Sequence, residues 1–286
     1  RAGVQTNGPQ GLEAVTSRSP DSSRAFASAV RREFRYARTP QQDEFLRTLV
    51  ATSHSRSLTM KAGYVLWRAQ LGHDWREEQQ DGESFEVQAA HPPARMKPLA
   101  EKASDGRANP KGISCLYLAT KQETAVLEVR PLIGSYVSIV QFKVLKDLRL
   151  VDCSAKEIGN LVRFLKKDWT PEETEKQVWS DINRAFSEPV ERGDDSLDYI
   201  PTQIITETFK LNGFDGIAYK SSYGEDGFNV ALFDVAAADV INCGLYRIKD
   251  VSVTFSEQDN PYFISKYYPA HAAIASPSTP DTDTTP

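Results

Sequence analysis

The sequence predicts an α+β fold, a mixed and curved β-sheet core with flanking helices and an N-terminal helical extension. Three observations lead there. Strand-like and helix-like segments are interspersed without regular βαβ alternation, which argues against a doubly wound parallel sheet. The chain has 286 residues, of which 40% are hydrophobic and 26% charged, an ordinary globular balance with enough apolar side chain for a real core. Both ends are too polar to join that core: residues 1–22 are rich in Gly, Ser, Thr and Gln, and the chain closes on HAAIASPSTPDTDTTP. The expected organisation is a flexible segment 1–22, a helical extension 23–62, a main domain 63–256 and a C-terminal segment 257–286, disordered towards its end.

Element by element, DSSRAFASAVRREF places Phe26, Val30 and Phe34 at helical spacing. TPQQDEFLRTLV offers Thr39 as N-cap, Pro40 at the first helical position and Gln42 as reciprocal capping partner. YVLWRAQLG, residues 64–72, is aromatic and β-branched and predicts a strand. Residues 73–105 are polar, contain His91-Pro92-Pro93 and predict a long loop. Strands are expected at 135–144 and 148–153, then a helix opened by Ser154 and Glu157 with Ile158, Leu161, Val162 and Leu165 as its apolar stripe. Another helix starts at Thr170-Pro171, with Val178, Ile182 and Phe186 on one face. Pro201 suits a helix start and Gly213 its end, GIAY returns to strand, and two more strands are expected at 228–234 and 244–255.

The segment GRANPKGISCLYLATKQETAVLEVRP, residues 106–131, carries the most chemistry. Thr120 and Glu123 form a capping-box pattern, so a helix is expected from about Lys121, and Pro131 disfavours helical geometry at Arg130 and keeps it short. Ala125, Val129 and Leu132 would share a face, with Glu128 half-buried on its flank. From the residues alone Glu128 is either a structural partner of a nearby arginine or a functional carboxylate. Tyr117 is either a core strand residue or a pocket wall. Gly106 and Gly112, bracketing Arg107 and Asn109, mark either a plain surface turn or a place where a ligand approaches the backbone.

Other classes fall away. The net charge of −5, without a dominant Lys/Arg cluster, makes nucleic acid a poor partner. No run of about 18 apolar residues occurs, so no membrane span is expected. The start at Arg1 is read as a trimmed or mature form, and no signal-peptide pattern is present. Cys115, Cys153 and Cys243 are odd in number and widely spaced, which suggests reduced thiols in a cytoplasmic setting. His54, His73, His91 and His271 are equally scattered, and no metal site is expected.

Taken in order, WRA at 67–69, GRANPKG at 106–112, LYLA at 116–119, ETAVLEV at 123–129, PTQ at 201–203, and FDGIAYKSS with NVALF within 214–233 resemble the RES domain family. The resemblance covers roughly residues 63–240, and its specificity lies in the order and combination of the motifs. It implies an ADP-ribosyltransferase-like fold and a toxin of a toxin–antitoxin pair that consumes NAD. It assigns catalytic roles to Arg68, Tyr117, Glu128 and Ser221, and NAD binding to Arg107, Asn109, Tyr199, Gln203 and Ser222. Of the two serines in YKSS, Ser221 is preferred. Some relatives place a functional serine just before the helix that begins IPTQ, where this chain has Ile200 with Tyr199, Thr202 and Gln203 nearby. The chain departs from the family at Ala108, where an aromatic is usual, and Trp67 or Tyr223 would have to supply that wall.

The chemistry fits these residue types. Arginines hold a pyrophosphate through bidentate, charge-assisted bonds. A fixed carboxylate stabilises the oxocarbenium character that develops as the nicotinamide–ribose bond breaks. Tyr117 would stack on the nicotinamide ring. NAD is thus expected as substrate, with water or inorganic phosphate as acceptor and no metal. The alternatives are mono-ADP-ribosylation of a protein, and a non-catalytic NAD-binding or interaction module. The implied partner is an antitoxin protein, DNA-binding or not, and self-association is open. The implied location is cytoplasmic, or that of an exported effector.

Overall fold

The computed structural model describes residues 19–99, 102–156, 166, 168–189, 196–223 and 226–255. Ten strands and six α-helices are built from them. Helices α1 (Ser22–Arg32) and α2 (Pro40–Ser53) lead into β1 (Ser57–Met60), β2 (Val65–Leu71), β3 (Asp74–Gln80) and β4 (Glu83–Ala89). The short α3 (Pro93–Met96) precedes β5 (Leu116–Ala119), α4 (Gln122–Glu128), β6 (Tyr136–Val144) and β7 (Leu148–Asp152). Then come α5 (Pro171–Ser187), α6 (Ile200–Leu211), β8 (Gly216–Lys220), β9 (Phe228–Leu232) and β10 (Ala238–Arg247). Eight strands form one mixed sheet in the order β1-β7-β8-β9-β5-β2-β6-β10, and β3 with β4 forms a separate two-stranded sheet. Among the described residues only the β7–β8 pairing is parallel, so the expected α+β class with a mixed sheet is what the chain adopts.

Side chains alternate across the central strands, as strand geometry requires. Ile217, Tyr219 and Ala231 face one apolar cluster with Phe26, Leu49, Trp179, Phe186 and Phe209 from the helices. Ala218, Val230 and Leu232 face a second cluster with Leu66, Met96, Leu116 and Phe142. The N-terminal helices pack into the main core, and β1 pairs with β7 in the main sheet. The described residues up to Asp250 form one compact unit, and the described residues 251–255 belong to another.

Local signals were reliable where the partner was local. Thr39 Oγ1 accepts from the Gln42 N–H at 3.3 Å while Gln42 Oε1 accepts from the Thr39 N–H at 2.9 Å. Thr170 and Glu173 repeat the arrangement at α5. Four expectations need correction. The polar segment 73–105 is not one loop, since it holds the β3–β4 hairpin and α3. Asp81 and Gly82, both at positive φ, make its two-residue turn. The last strand runs over Ala238–Arg247, not 244–255, because its partner β6 begins at Tyr136 opposite Arg247. Phe34 lies beyond the end of α1 and is 53% exposed. Thr120 does not cap α4, whose N-cap is Lys121; its hydroxyl accepts from the Phe228 N–H instead. The helix expected after Ser154 and the C-terminal segment from 257 lie outside the described residues. Among the described residues no helix is long and apolar enough to cross a membrane.

Candidate functional site

The sheet has a seam. β2 is paired with β6 over seven residues, whereas a single pair, Trp67 with Ala119, joins it to β5. At this divergence lies a cavity of about 280 Å³, lined by Trp67, Arg68, Arg107, Tyr117, Glu128 and Asn229 among others. A second hollow of about 410 Å³ shares Arg107, Glu128 and Asn229 with it and adds Tyr199 and Tyr223. The two are lobes of one cleft, with Glu128 where they meet.

Glu128 is placed by the way α4 stops. Pro131 excludes helical geometry from Arg130, which turns to φ +47°, so Glu128 is the last helical residue. Its Oε1 accepts from Ser221 Oγ at 2.8 Å and from Asn229 Nδ2 at 2.5 Å. Both donors are neutral. Among the described residues no arginine or lysine pairs with the carboxylate, so the structural ion pair open from sequence is not the arrangement found. Two corrections accompany this. Glu128 is exposed over the cleft, not half-buried, and Leu132, expected on the apolar face of α4, is 77% exposed beyond the turn at Arg130.

The two serines separate cleanly. Ser221 is buried behind Glu128, and its Oγ also accepts from the Tyr223 N–H at 3.1 Å. Ser222 is exposed and donates to the Ser187 carbonyl at 2.6 Å, tying its loop to the end of α5. Asn229 was missed from sequence. Its signal was a polar amide inside the apolar run FNVALF, since a buried amide in a central strand needs a partner.

The arginines also differ. Arg68, on β2, donates from Nη1 to the Tyr117 carbonyl at 3.1 Å, while its buried Nε has no partner. Burial lowers its pKa, against the pull of Cys115 and Tyr117. Arg107 donates from Nη1 to the Ala185 carbonyl at 2.9 Å and from Nη2 to that of Glu188, both at the C-terminal end of α5 where a cation suits the helix dipole. Its guanidinium also lies 5.7 Å from the centre of the Tyr199 ring. Arg107 is thus at the cleft but partly committed to holding a helix end.

Tyr117 is locked by its hydroxyl, which donates to Asn109 Oδ1 at 2.7 Å and accepts from the Ala108 N–H at 2.8 Å. Burial pushes its pKa well above the ordinary 10.0. A Cβ on residue 106 would come within 2.5 Å of that hydroxyl, so Gly106 makes room for Tyr117. Asn109 donates to the Ser104 and Ile113 carbonyls, and Gln203 Nε2 donates to those of Gly106 and Asn109 at 3.0 Å each. Neither lines either lobe of the cleft. The structure thus places Asn109 and Gln203 as braces of the Arg107 turn, and Ser222 as a loop tie, instead of in the ligand-facing positions expected for them. Ala108 is buried on the far side of that turn, in the core. An aromatic there would not wall the cleft, which Trp67 and Tyr223 do.

Comparison with known proteins adds the following. The sequence model of the RES domain matches residues 65–255. Among solved structures, the chain is similar to one in the crystal structure of the M. tuberculosis MbcT-MbcA toxin-antitoxin complex, at 14% identity and a TM-score of 0.37, over 70% of this chain and 92% of that one. No curated protein matches the sequence.

Proposed function

The chain belongs to the RES domain family, and from that premise we propose that it is a toxin of a toxin–antitoxin pair that degrades NAD by cleaving the nicotinamide–ribose bond. The observation that carries this reading is the carboxylate of Glu128, held by two neutral donors on one oxygen, unpaired with any base among the described residues and sharing a cleft with Arg68 and Tyr117. A carboxylate fixed in that way is oriented before a cation develops nearby, and needs no reorganisation when it appears.

In this mechanism the C1′–N bond of the nicotinamide riboside breaks, its electron pair leaving with nicotinamide. The oxocarbenium character at C1′ is stabilised by Glu128, as in other glycosidic cleavages. Ser221 and Asn229 hold Glu128 in place. Tyr117, its ring fixed by Asn109 and the Ala108 N–H, flanks the leaving group, and Arg68 faces the phosphates. The acceptor oxygen then bonds to C1′ and loses a proton, giving ADP-ribose with water or its 1″-phosphate with inorganic phosphate. Purified protein incubated with NAD, with and without phosphate, should release nicotinamide together with one of these products by mass analysis. Intact NAD in both incubations, with no label transferred to protein from labelled NAD, overturns the proposal.

A second reading is transfer to a protein side chain. It is favoured by Leu132 and Ile133, 77% and 66% exposed in the turn that follows Arg130, itself a lining residue of the second lobe. Label on protein instead of on small products selects it. A neutralising antitoxin is the partner that the toxin reading requires.

A further inference from the structure

Beside the cleft lies a wide, open depression of about 540 Å³, lined by Arg68, Gln70, Leu71, Arg95 and Val129 with Ala69. It shares Arg68, Ala69 and Val129 with the first lobe, so it continues the cleft along β2 away from Tyr199. Its charge is unusual for this chain. Acidic residues outnumber basic ones, 39 to 34, yet among the described residues neither Arg68 nor Arg95 is paired with a carboxylate, and the Nε of Arg68 is buried without a partner. Two guanidinium groups thus line one depression without a carboxylate partner among the described residues.

Arg95 is held there by its surroundings and not by its own contacts. It sits on α3, where Met96 is fully buried in the core. On one side the His91 N–H donates to Ser138 Oγ at 2.9 Å, and on the other Lys97 pairs with Asp239 at 2.7 Å. The backbone that carries the guanidinium is therefore fixed, while the side chain itself is exposed. Arg107, the other arginine expected to grip phosphate, spends two N–H groups on the carbonyls of Ala185 and Glu188.

We infer that Arg95 and Arg68 together form a phosphate-binding subsite of the cleft. The inference rests on the reading of the cleft as an NAD-cleaving site. The shared chemistry is a phosphate oxyanion, and its source is either the diphosphate of the dinucleotide or the inorganic phosphate that accepts the ribosyl group. Bidentate guanidinium–phosphate bonds suit either.

The test is Arg95→Ala, with Arg95→Lys as the conservative variant. In steady-state NAD consumption, Arg95→Ala should raise one Michaelis constant about tenfold with kcat within about twofold, and the lysine variant should fall between. A rise in the constant for NAD places the diphosphate at the subsite, and a rise in that for inorganic phosphate places the acceptor there. Calorimetric titration with inorganic pyrophosphate and with inorganic phosphate should show the same preference without turnover, and the difference should shrink at high salt. Unchanged Michaelis constants and unchanged titrations overturn the subsite. If the parent protein consumes no NAD, the functional reading falls, while the titrations still decide the subsite.

Discussion

Ser221 and Ser222 are one position apart and share nothing they touch. The sequence named both as candidates, because YKSS does not say which serine turns inward. Only the return of β9 beside β8, which brings Ser221 and Asn229 to the same oxygen of Glu128, distinguishes them. Ser221→Ala should therefore lower kcat for NAD cleavage by about tenfold or more with little change in KM, since a hydrogen bond to a charged group is worth roughly 1.5–3 kcal/mol. Ser222→Ala, which loses only a bond to the Ser187 carbonyl, should leave both constants within about twofold. Equal effects of the two substitutions on steady-state kinetics would remove Ser221 from the site. Arg68, Tyr117 and Glu128 were legible because each sits in a short motif fixed by its own strand or helix. Asn109 and Gln203 were legible as important but not as braces, since their partners are carbonyls that no motif marks.

Among elements, α4 is the one on which the site depends most. It is only seven residues long, so its position comes from packing and not from its own propensity. Thr124, buried on α4, lies against Gly227 at the entry to β9, where an added Cβ would come within 2.1 Å of the Thr124 hydroxyl and 3.1 Å of its Cβ. Gly227→Ala should shift α4 and with it Glu128. The expected outcome is a loss of NAD turnover larger than for Ser221→Ala, alongside a stability loss of about 1–3 kcal/mol by urea denaturation. Full activity in a destabilised Gly227→Ala protein would show that α4 does not hold the carboxylate in place. The same helix shows where sequence reading failed. Thr120 and Glu123 have the capping-box spacing that worked at Thr39 and Thr170, but a strand backbone 108 residues away takes the hydroxyl. The β3–β4 hairpin escaped notice for the opposite reason. Neither of its faces is buried, so no hydrophobic alternation announces it, and only Asp81-Gly82 marks the turn.

For the molecule as a whole, burial of Tyr117, Tyr219, Cys115 and Cys153 around one core gives stability a direction with pH. Burial pushes Cys115 up to about 12 from the ordinary 9.0, and raises Cys153, Tyr117 and Tyr219 as well. All four are protonated when folded, so their contribution is complete below the ordinary values and is lost as pH rises past about 9 for the thiols and about 10 for the phenols. The urea midpoint should fall between about pH 8 and about pH 10.5. A flat profile would mean that these groups are reached by water. In the folded protein at neutral pH, Cys115 and Cys153 should also resist alkylation. The α+β class was legible because it follows from local patterns, whereas strand order was not, because it depends on contacts far apart in sequence. The seam between β2 and β5 could not have been read at all. Its mechanical consequence reaches beyond the cleft it opens. The sheet consists of two leaves, β1 to β5 in spatial order on one side and β2, β6 and β10 on the other, bound along a spine of Leu66, Leu116 and Phe142 more than by a ladder. Apolar contact is non-directional, so at the seam the leaves are joined by face packing, by the Trp67–Ala119 pair and by the bond from Arg68 to the Tyr117 carbonyl.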